Sequence, residues 1–166
     1  MYEDRNEDGS LSYQYFIYPE NVEDEDNNPV GEFSHVEITY ANGVQVERKQ
    51  TRHSSSGVTD WKTRTVMYDA DGKTVISDVQ KNSEDLLTFV ENTYPEGSAI
   101  RYEKVEYYGD KAETEKHRIQ ENADGSTCDE YRNEKGYLTS AENTYPEGSE
   151  IRYEKVEYYG DAEETE

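Results

Sequence analysis

Residues 91–115 read ENTYPEGSAIRYEKVEYYGDKAETE, and residues 142–166 read ENTYPEGSEIRYEKVEYYGDAEETE. The two segments, called here the first and the second copy, are identical at 22 of 25 positions and are offset by 51 residues. A near-identical internal repeat indicates a supersecondary unit that was duplicated and that stacks on its neighbours. Duplication also argues against an enzyme, because a catalytic centre needs unlike groups converging on one point, whereas two copies present the same surface twice.

The residue pattern inside the copies is typical of β-strands. Alternate residues fall on opposite sides of a strand, so that one side of the first copy carries Ile100, Tyr102, Lys104, Glu106 and Tyr108, and the other carries Arg101, Glu103, Val105 and Tyr107. Both sides contain tyrosine, and no apolar period of 3.6 residues persists, which argues against helix. A short helix is expected at most around 83–89, where Ser83, Glu84 and Asp85 could cap it.

Glycines that usually follow Asn, Asp or Glu separate these segments. Asn42-Gly43, Asp71-Gly72 and Asp124-Gly125 are direct hairpin signals, because Asx and Gly residues tolerate the positive φ of tight turns. Short strands with turn signals between them predict antiparallel β structure. We therefore predict an all-β fold: an elongated antiparallel β-hairpin meander of about twelve strands, with internal repeats and little or no helix.

Composition predicts a thin core. Leu, Ile, Val and Phe together make up 25 of the 166 residues, and the net charge is −22, but 16 tyrosines supply apolar rings that tolerate partial exposure. We predict a single β-repeat domain with four parts. These are an acidic N-terminal hairpin and loop (1–40, net −10), a charge-neutral middle (41–90), and a duplicated unit (91–141 and 142–166, together net −12) whose second copy is partial. Residues 19–32 are the expected loop.

The N-terminal sequence and the cysteine content bear on location. Met1 is followed by Tyr2, Glu3 and Asp4 without a basic or an apolar segment, which argues against a signal peptide, and no stretch is apolar enough for a membrane span. The single cysteine, Cys128, allows no intrachain disulfide. These features favour the cytoplasm, the host cell's cytoplasm if a phage encodes the chain; the alternative is a fragment of an extracellular protein.

Several segments resemble known hairpin repeats. The stretches 68–73 (YDADGK) and 131–138 (YRNEKGYL), together with the Tyr-Pro-Glu-Gly-Ser segments at 94–98 and 145–149, resemble the tyrosine–glycine hairpins of YD (RHS-type) repeats. The resemblance covers about half of the chain, and MORN-type hairpin arrays are equally similar. It implies a β-hairpin array and no catalytic residues.

Candidate catalytic and metal-binding patterns all have simpler interpretations. Residues 4–9 (DRNEDG) match the first half of an EF-hand loop, but its twelfth position is Tyr15, where calcium binding requires a glutamate. His35, His53 and His117 do not lie at metal-ligand spacings from one another or from Cys128. Paired carboxylates for glycoside hydrolysis need burial that this composition does not provide. We therefore assign no catalytic residue, no metal and no cofactor.

The acidic, tyrosine-bearing surface remains the predicted binding site. A twelve-strand meander is ~58 Å long, so a charge of −22 corresponds to one charge per ~2.6 Å, compared with one per ~1.7 Å for duplex DNA. In size and charge the chain resembles the DNA-mimic inhibitors that phages use against host nucleases and against restriction or CRISPR systems. Such charge excludes direct binding to nucleic acid or anionic membranes and favours a basic partner.

The lead prediction is a non-enzymatic inhibitor that blocks the basic groove of a nucleic-acid-binding protein; the alternative is a structural or adhesive YD-like repeat fragment of a larger bacterial surface protein. The predicted partner-binding residues are the acids and tyrosines of the two copies and of the acidic loop: Glu103, Glu106, Tyr107, Tyr108, Glu154, Glu157, Tyr158, Tyr159, Glu23, Asp24, Glu25 and Asp26. The sequence leaves the oligomeric state open.

Overall fold

The structure is a computed structural model that describes residues 1–18, 33–53 and 61–159. These residues form twelve β-strands and no helix: β1 (Tyr2–Arg5), β2 (Leu11–Ile17), β3 (Phe33–Ala41), β4 (Val44–Arg52), β5 (Thr63–Tyr68), β6 (Val75–Lys81), β7 (Leu87–Thr93), β8 (Ile100–Tyr107), β9 (Glu115–Asn122), β10 (Thr127–Arg132), β11 (Leu138–Thr144) and β12 (Tyr153–Glu157). The prediction of an all-β antiparallel hairpin meander is therefore confirmed. Consequently, the described residues contain no helix that could span a membrane.

The chain divides into two compact units, an N-terminal unit (Met1–Asp85) and a C-terminal unit (Leu86–Glu166). The N-terminal unit contains β1 to β6, and the C-terminal unit contains β7 to β12. Within each unit every strand pairs antiparallel with the strand next to it in the chain. A meander of this kind needs only short turns, which the frequent Asx-Gly pairs provide.

The Asn42-Gly43 turn behaves as the sequence predicts. Both residues have positive φ, 52° at Asn42 and 76° at Gly43. They join β3 to β4 as a two-residue loop in which Ala41 pairs with Val44. Positive φ at both central positions is the geometry whose twist matches that of the flanking strands.

Glycine at position 72 is required for a second reason. The turn between β5 and β6 is closed by the Gly72 amide, which donates to the Asp69 carbonyl at 2.9 Å. A Cβ atom at Gly72 would lie 2.5 Å from Val44 Cγ1, and its φ of +68° disfavours side chains in any case. The packing of β4 against this turn therefore depends on glycine.

The core of the N-terminal unit lies on one face of its sheet. Val36 is 2 % exposed and Val66 is 4 % exposed. Asp78, the cross-strand partner of Val66, is equally buried and accepts two-pronged hydrogen bonds from the Arg64 guanidinium, of which the shortest is 2.7 Å. A buried carboxylate needs such a partner, because an unpaired buried charge is strongly destabilising.

The N-terminal unit also contains an aromatic cluster formed by Phe33 and Trp61. The Arg52 guanidinium lies 3.6 Å from the centre of the Trp61 ring, and the Phe33 ring stacks against Trp61 with 6.2 Å between ring centres. Arg52 and Trp61 are both buried. Arg52 therefore packs inside this unit as a cation over an aromatic ring.

The structure has no helix at 83–89, where the sequence allows a short one at most. Asn82 and Asp85 form a tight turn in which the Asp85 amide donates to the Asn82 carbonyl at 3.1 Å, and Asp85 has a φ of 64°. Leu87–Thr93 then continue as strand β7. The same Ser-Glu-Asp residues that favour a helix N-terminus also favour turns, and pairing with β8 decides in favour of the strand.

Candidate binding surface

The two copies form the same hairpin twice. In the first copy Glu91 pairs with Lys104, and in the second Glu142 pairs with Lys155, so that the register is preserved at the offset of 51 residues. The turns also correspond, since Ser98 and Ser149 donate their amides to the carbonyls of Pro95 and Pro146 at 3.1 and 3.2 Å. Identical local sequence therefore gives identical local structure.

Cross-strand pairing divides the C-terminal unit into two faces. The first, called the Val105 face, carries Val105, Arg118, Glu130 and Ala141, which pair with one another in that order. The opposite, called the Lys104 face, carries Lys104, Ile119, Asp129, Glu142 and Lys155 in the same way. Directly opposed residues of neighbouring strands lie on the same face, so this register fixes which side chains can act together.

The Val105 face is the buried one. Val105, Leu138 and Ala141 are 2 %, 8 % and 5 % exposed. Its charged residues are largely paired: Arg118 contacts Glu103 at 3.7 Å and bonds to Glu115, and Arg132 bonds to Glu130 at 3.0 Å. Glu115 also lies 3.8 Å from Arg132, so this carboxylate links the two arginines into one network that connects β8, β9 and β10.

The Lys104 face is acidic. Each of the six strands contributes one carboxylate to it: Glu91, Glu106, Glu121, Asp129, Glu142 and Glu157. Two lysines that the register places on this face bond to its carboxylates, Lys104 to Glu106 at 3.3 Å and Lys155 to Glu142 at 2.7 Å. Glu106 and Glu142 are 37 % and 40 % exposed at the side chain. The carboxylates therefore remain accessible from solvent.

Tyrosines and a histidine complete the Lys104 face. The Tyr102 hydroxyl donates to Glu91 at 2.6 Å, and burial together with this carboxylate raises the pKa of Tyr102 to about 12. The His117 Nε2 atom lies 2.8 Å from Asp129, and its ring stacks on the exposed Tyr131 with 4.1 Å between ring centres. The Lys104 face therefore combines aromatic groups with carboxylates.

The predicted site residues do not all share one surface. Glu106 and Glu157 lie on the Lys104 face, whereas Glu103, Glu154 and Tyr107 lie on the Val105 face. Glu103 is only 16 % exposed at the side chain and is committed to Arg118, and burial raises the pKa of Tyr107.

The remaining predicted residues are more scattered. The Tyr108 hydroxyl donates to the Arg132 carbonyl at 2.8 Å, and Tyr158 donates its amide to Thr139 at 2.9 Å. Tyr159 is 80 % exposed. The loop acids Glu23, Asp24, Glu25 and Asp26 lie outside the described residues.

Four carboxylates of the Lys104 face were missed from the sequence: Glu91, Glu121, Asp129 and Glu142. Alternation along each strand predicts which residues share a side of that strand. It does not predict how one strand is aligned with the next, and the register shifts at Glu106/Tyr107 and Tyr131/Arg132 are not marked by any residue pattern.

Charge is unevenly distributed over the chain. All 17 bases but only 28 of the 39 acids belong to the described residues, which therefore carry −11 of the net −22. Within them, residues 86–159 carry 17 acids and nine bases, net −8, whereas the described part of the N-terminal unit is net −3. The acidic character of the described structure is thus concentrated in the C-terminal unit.

The residues considered for catalysis serve local structure. The Asp8 carboxylate of the EF-hand-like segment accepts bonds from the amide and hydroxyl of Ser10, at 2.9 and 2.6 Å, within the turn between β1 and β2. These bonds lower the pKa of Asp8. Burial raises the pKa of the Cys128 thiol to about 11, so it is protonated at neutral pH and is a poor nucleophile. Within the described ranges no cluster of three or more His, Cys, Asp or Glu residues is arranged to hold a metal ion.

No protein-family model matches the sequence, and no curated protein is significantly similar to it.

Proposed function

We propose that this chain is a non-enzymatic binding protein whose Lys104 face occupies the basic, nucleic-acid-binding groove of another protein and blocks it. The observation that carries the proposal is the contribution of one carboxylate by each of six successive strands to one face. Glu91, Asp129 and Glu142 lie in one cross-strand row, Glu106 and Glu157 lie in a row on one side of it, and Glu121 lies in the row on the other side. Rows on one face stand ~6.7 Å apart, so the carboxylates spread negative charge over the width and the length of the face.

Charge balance on the face supports the proposal. Two of the six carboxylates bond to lysines, whereas Glu121 and Glu157 form no ion pair among the described residues. A basic groove would supply the missing cations and would be attracted over long range, which raises the association rate more than it lengthens the lifetime of the complex.

The test is capture from a bacterial lysate on the immobilised chain, followed by elution with a short DNA duplex. Proteins that bind through a nucleic-acid groove should be released by the duplex. Capture should weaken steeply between about 50 and about 500 mM salt, because exposed charges are screened within ~10 Å at 0.1 M. If neither the DNA duplex nor the salt concentration changes the amount of captured protein, the proposal is contradicted.

A matched pair of charge variants locates the surface. Glu121→Lys with Glu157→Lys reverses two carboxylates on the Lys104 face, and Glu134→Lys with Glu147→Lys reverses two exposed turn acids by the same total charge. For a partner isolated in this way, the first pair should slow association about tenfold or more, and the second should have a much smaller effect. Equal effects would show that only net charge matters.

A structural or adhesive role is the second candidate function, and the repeated hairpin supports it. Arrays of identical hairpins with preserved register are suited to extending a sheet. This role predicts that the native gene encodes further copies of the unit, and that lysate capture is indifferent to the DNA competitor.

A further inference from the structure

Strand β12 pairs with β11 along one edge only, and its other edge, called here the outer edge, has no partner among the described strands. Tyr145 donates its amide to the Arg152 carbonyl, and Tyr158 donates its amide to the Thr139 carbonyl, so even-numbered residues around β12 point their backbone groups at β11. Backbone direction alternates along a strand. Tyr153, Lys155 and Glu157 therefore direct their N–H and C=O groups to the opposite edge, with which no described strand pairs. Such an edge is a template for strand pairing.

The same edge is already filled once in this protein. Residues 151–158 repeat residues 100–107 letter for letter (IRYEKVEY). In the first copy the corresponding edge of β8 pairs with β9, so that Lys104 opposes Ile119 and Val105 opposes Arg118. The sequence of β9, EKHRIQEN, is therefore an internal example of a strand that fits this edge.

In each copy one glutamate, Glu103 or Glu154, lies where a cation on the next strand can pair with it. In the first copy Glu103 accepts the Tyr94 hydroxyl at 3.2 Å and also contacts Arg118 of β9 at 3.7 Å. In the second copy Glu154 accepts the Tyr145 hydroxyl at the same 3.2 Å, but among the described residues it forms no ion pair and is exposed. The two sites differ because β9 brings Arg118 to Glu103, whereas no described strand brings an arginine to Glu154.

We propose that the outer edge of β12 binds an extended, arginine-bearing segment of a partner protein by strand addition. The segment has the β9 pattern, with an arginine opposite Val156 that pairs with Glu154 and an apolar residue opposite Lys155. Backbone hydrogen bonds supply affinity and the alternate side chains supply specificity. A second copy of this chain is poorly matched, because its own described edge strands β1 and β12 each carry more acids than bases. This inference stands on the β12 edge and not on the proposed function of the Lys104 face.

The test uses a synthetic peptide with the sequence of residues 115–122 as the probe, in which two acids are balanced by two bases. The peptide is titrated into the whole chain and binding is followed by amide NMR. We expect saturable binding with shifts centred on Tyr153, Lys155 and Glu157. Lys155→Pro removes an N–H from the outer edge but leaves the β11 ladder intact, so it should abolish binding. Lys155→Ala, the control for the lost lysine, should still bind.

Two modified peptides test the pairing without changing the protein. Because Lys104 directs its backbone to β9, its partner Ile119 directs its amide to β8. An N-methyl group on Ile119 of the peptide should therefore abolish binding, and one on Gln120 should leave binding intact. Equal effects of the two peptides, or no binding by the unmodified peptide, would overturn the proposal.

A charge exchange tests the arginine. Arg118→Glu in the peptide should weaken binding about fivefold, and Glu154→Lys in the protein should restore it, as expected for an ion pair near the surface. Binding that is insensitive to both changes would overturn the pairing of the partner's arginine with Glu154. Dimerisation of the chain alone through β12 would do the same. DNA-sensitive capture that persists in the Lys155→Pro variant would leave the function of the Lys104 face standing even if the edge inference fails.

Discussion

The hairpins β7–β8 and β11–β12 have the same register and nearly the same sequence, with Phe89 and Val90 of β7 replaced by Ser140 and Ala141 in β11, but they have very different surroundings. Val105 of β8 is 2 % exposed, whereas Val156, its counterpart in β12, is only half-buried. Tyr102 is half-buried and its counterpart Tyr153 is 54 % exposed. The difference arises because β8 has neighbours on both sides, while β12 pairs with β11 alone among the described strands.

The comparison shows what a neighbouring strand contributes in a sheet with few apolar residues. Val105 lies between Val90 and Arg118 in its cross-strand pairs, and Val156 has only Ala141. The long aliphatic stem of an arginine covers apolar surface while its charged end remains near water. Burial in this fold therefore depends on the flanking strands as much as on the residue itself.

The largest expected contrast between the hairpins comes from proline. Val105 points its amide at β7, so Val105→Pro removes a ladder hydrogen bond, about 1 kcal/mol, and the packing of a buried valine, about 2–3 kcal/mol. We expect the C-terminal unit to lose most of its β signal in circular dichroism. Val156→Pro should release β12 alone and leave most of that signal. Equal losses would show that both hairpins are equally necessary to the fold.

Alanine substitutions measure the same contrast more gently. Val105→Ala should lower the free energy of unfolding by about 2 kcal/mol, since it removes buried apolar groups. Val156→Ala should cost about 1 kcal/mol or less, because that side chain is already partly in water. Urea denaturation of the two variants checks this, and indistinguishable midpoints would mean that β12 is covered as fully as β8.

The smallest expected contrast is in the tyrosine titration. The folded pKa of Tyr102, about 12, exceeds the usual value of about 10. The neutral hydroxyl therefore contributes stability that is complete below pH ~10 and is lost as the pH rises through ~12. Tyr13, beside Glu37, behaves in the same way.

Absorbance at high pH separates the two copies. Tyr102→Phe should remove amplitude from the last part of the titration, whereas Tyr153→Phe should remove amplitude before it, because the more exposed Tyr153 ring leaves its phenolate hydrated. Identical difference titrations would show that the two tyrosines share one environment.

Much of the fold could be predicted because the signals are local. The Asx-Gly turns and the period-two alternation each depend on residues a few positions apart, and the duplication repeats the same local pattern. The Asn42-Gly43 pair alone specifies the two-residue turn that joins β3 to β4. The sequence around Ser83 is ambiguous because residues that cap helices also occur in turns. Only the pairing of the following strand β7 with β8 distinguishes a turn from a helix there.

The binding surface was harder to predict than the strands. Alternation already separates Glu103 from Glu106, but the assembly of six carboxylates on one face depends on cross-strand register. Register is set by turn length and by bulges such as the one at Tyr131/Arg132, and a one-residue shift would send a carboxylate to the opposite face. Predicting that Glu103 pairs with an arginine likewise requires the position of Arg118, which lies on the next strand.

The pairing of each strand with its chain neighbours has a consequence for folding. Because the contacts within a unit are close in sequence, little loop entropy opposes each pairing step, and topologies of this type fold quickly for β proteins. A chain leaving the ribosome can close β7 onto β8 before β9 has been made, and each new strand then finds its template in place. Synthesis itself would then fix the order of assembly, from the first hairpin of a unit toward its last.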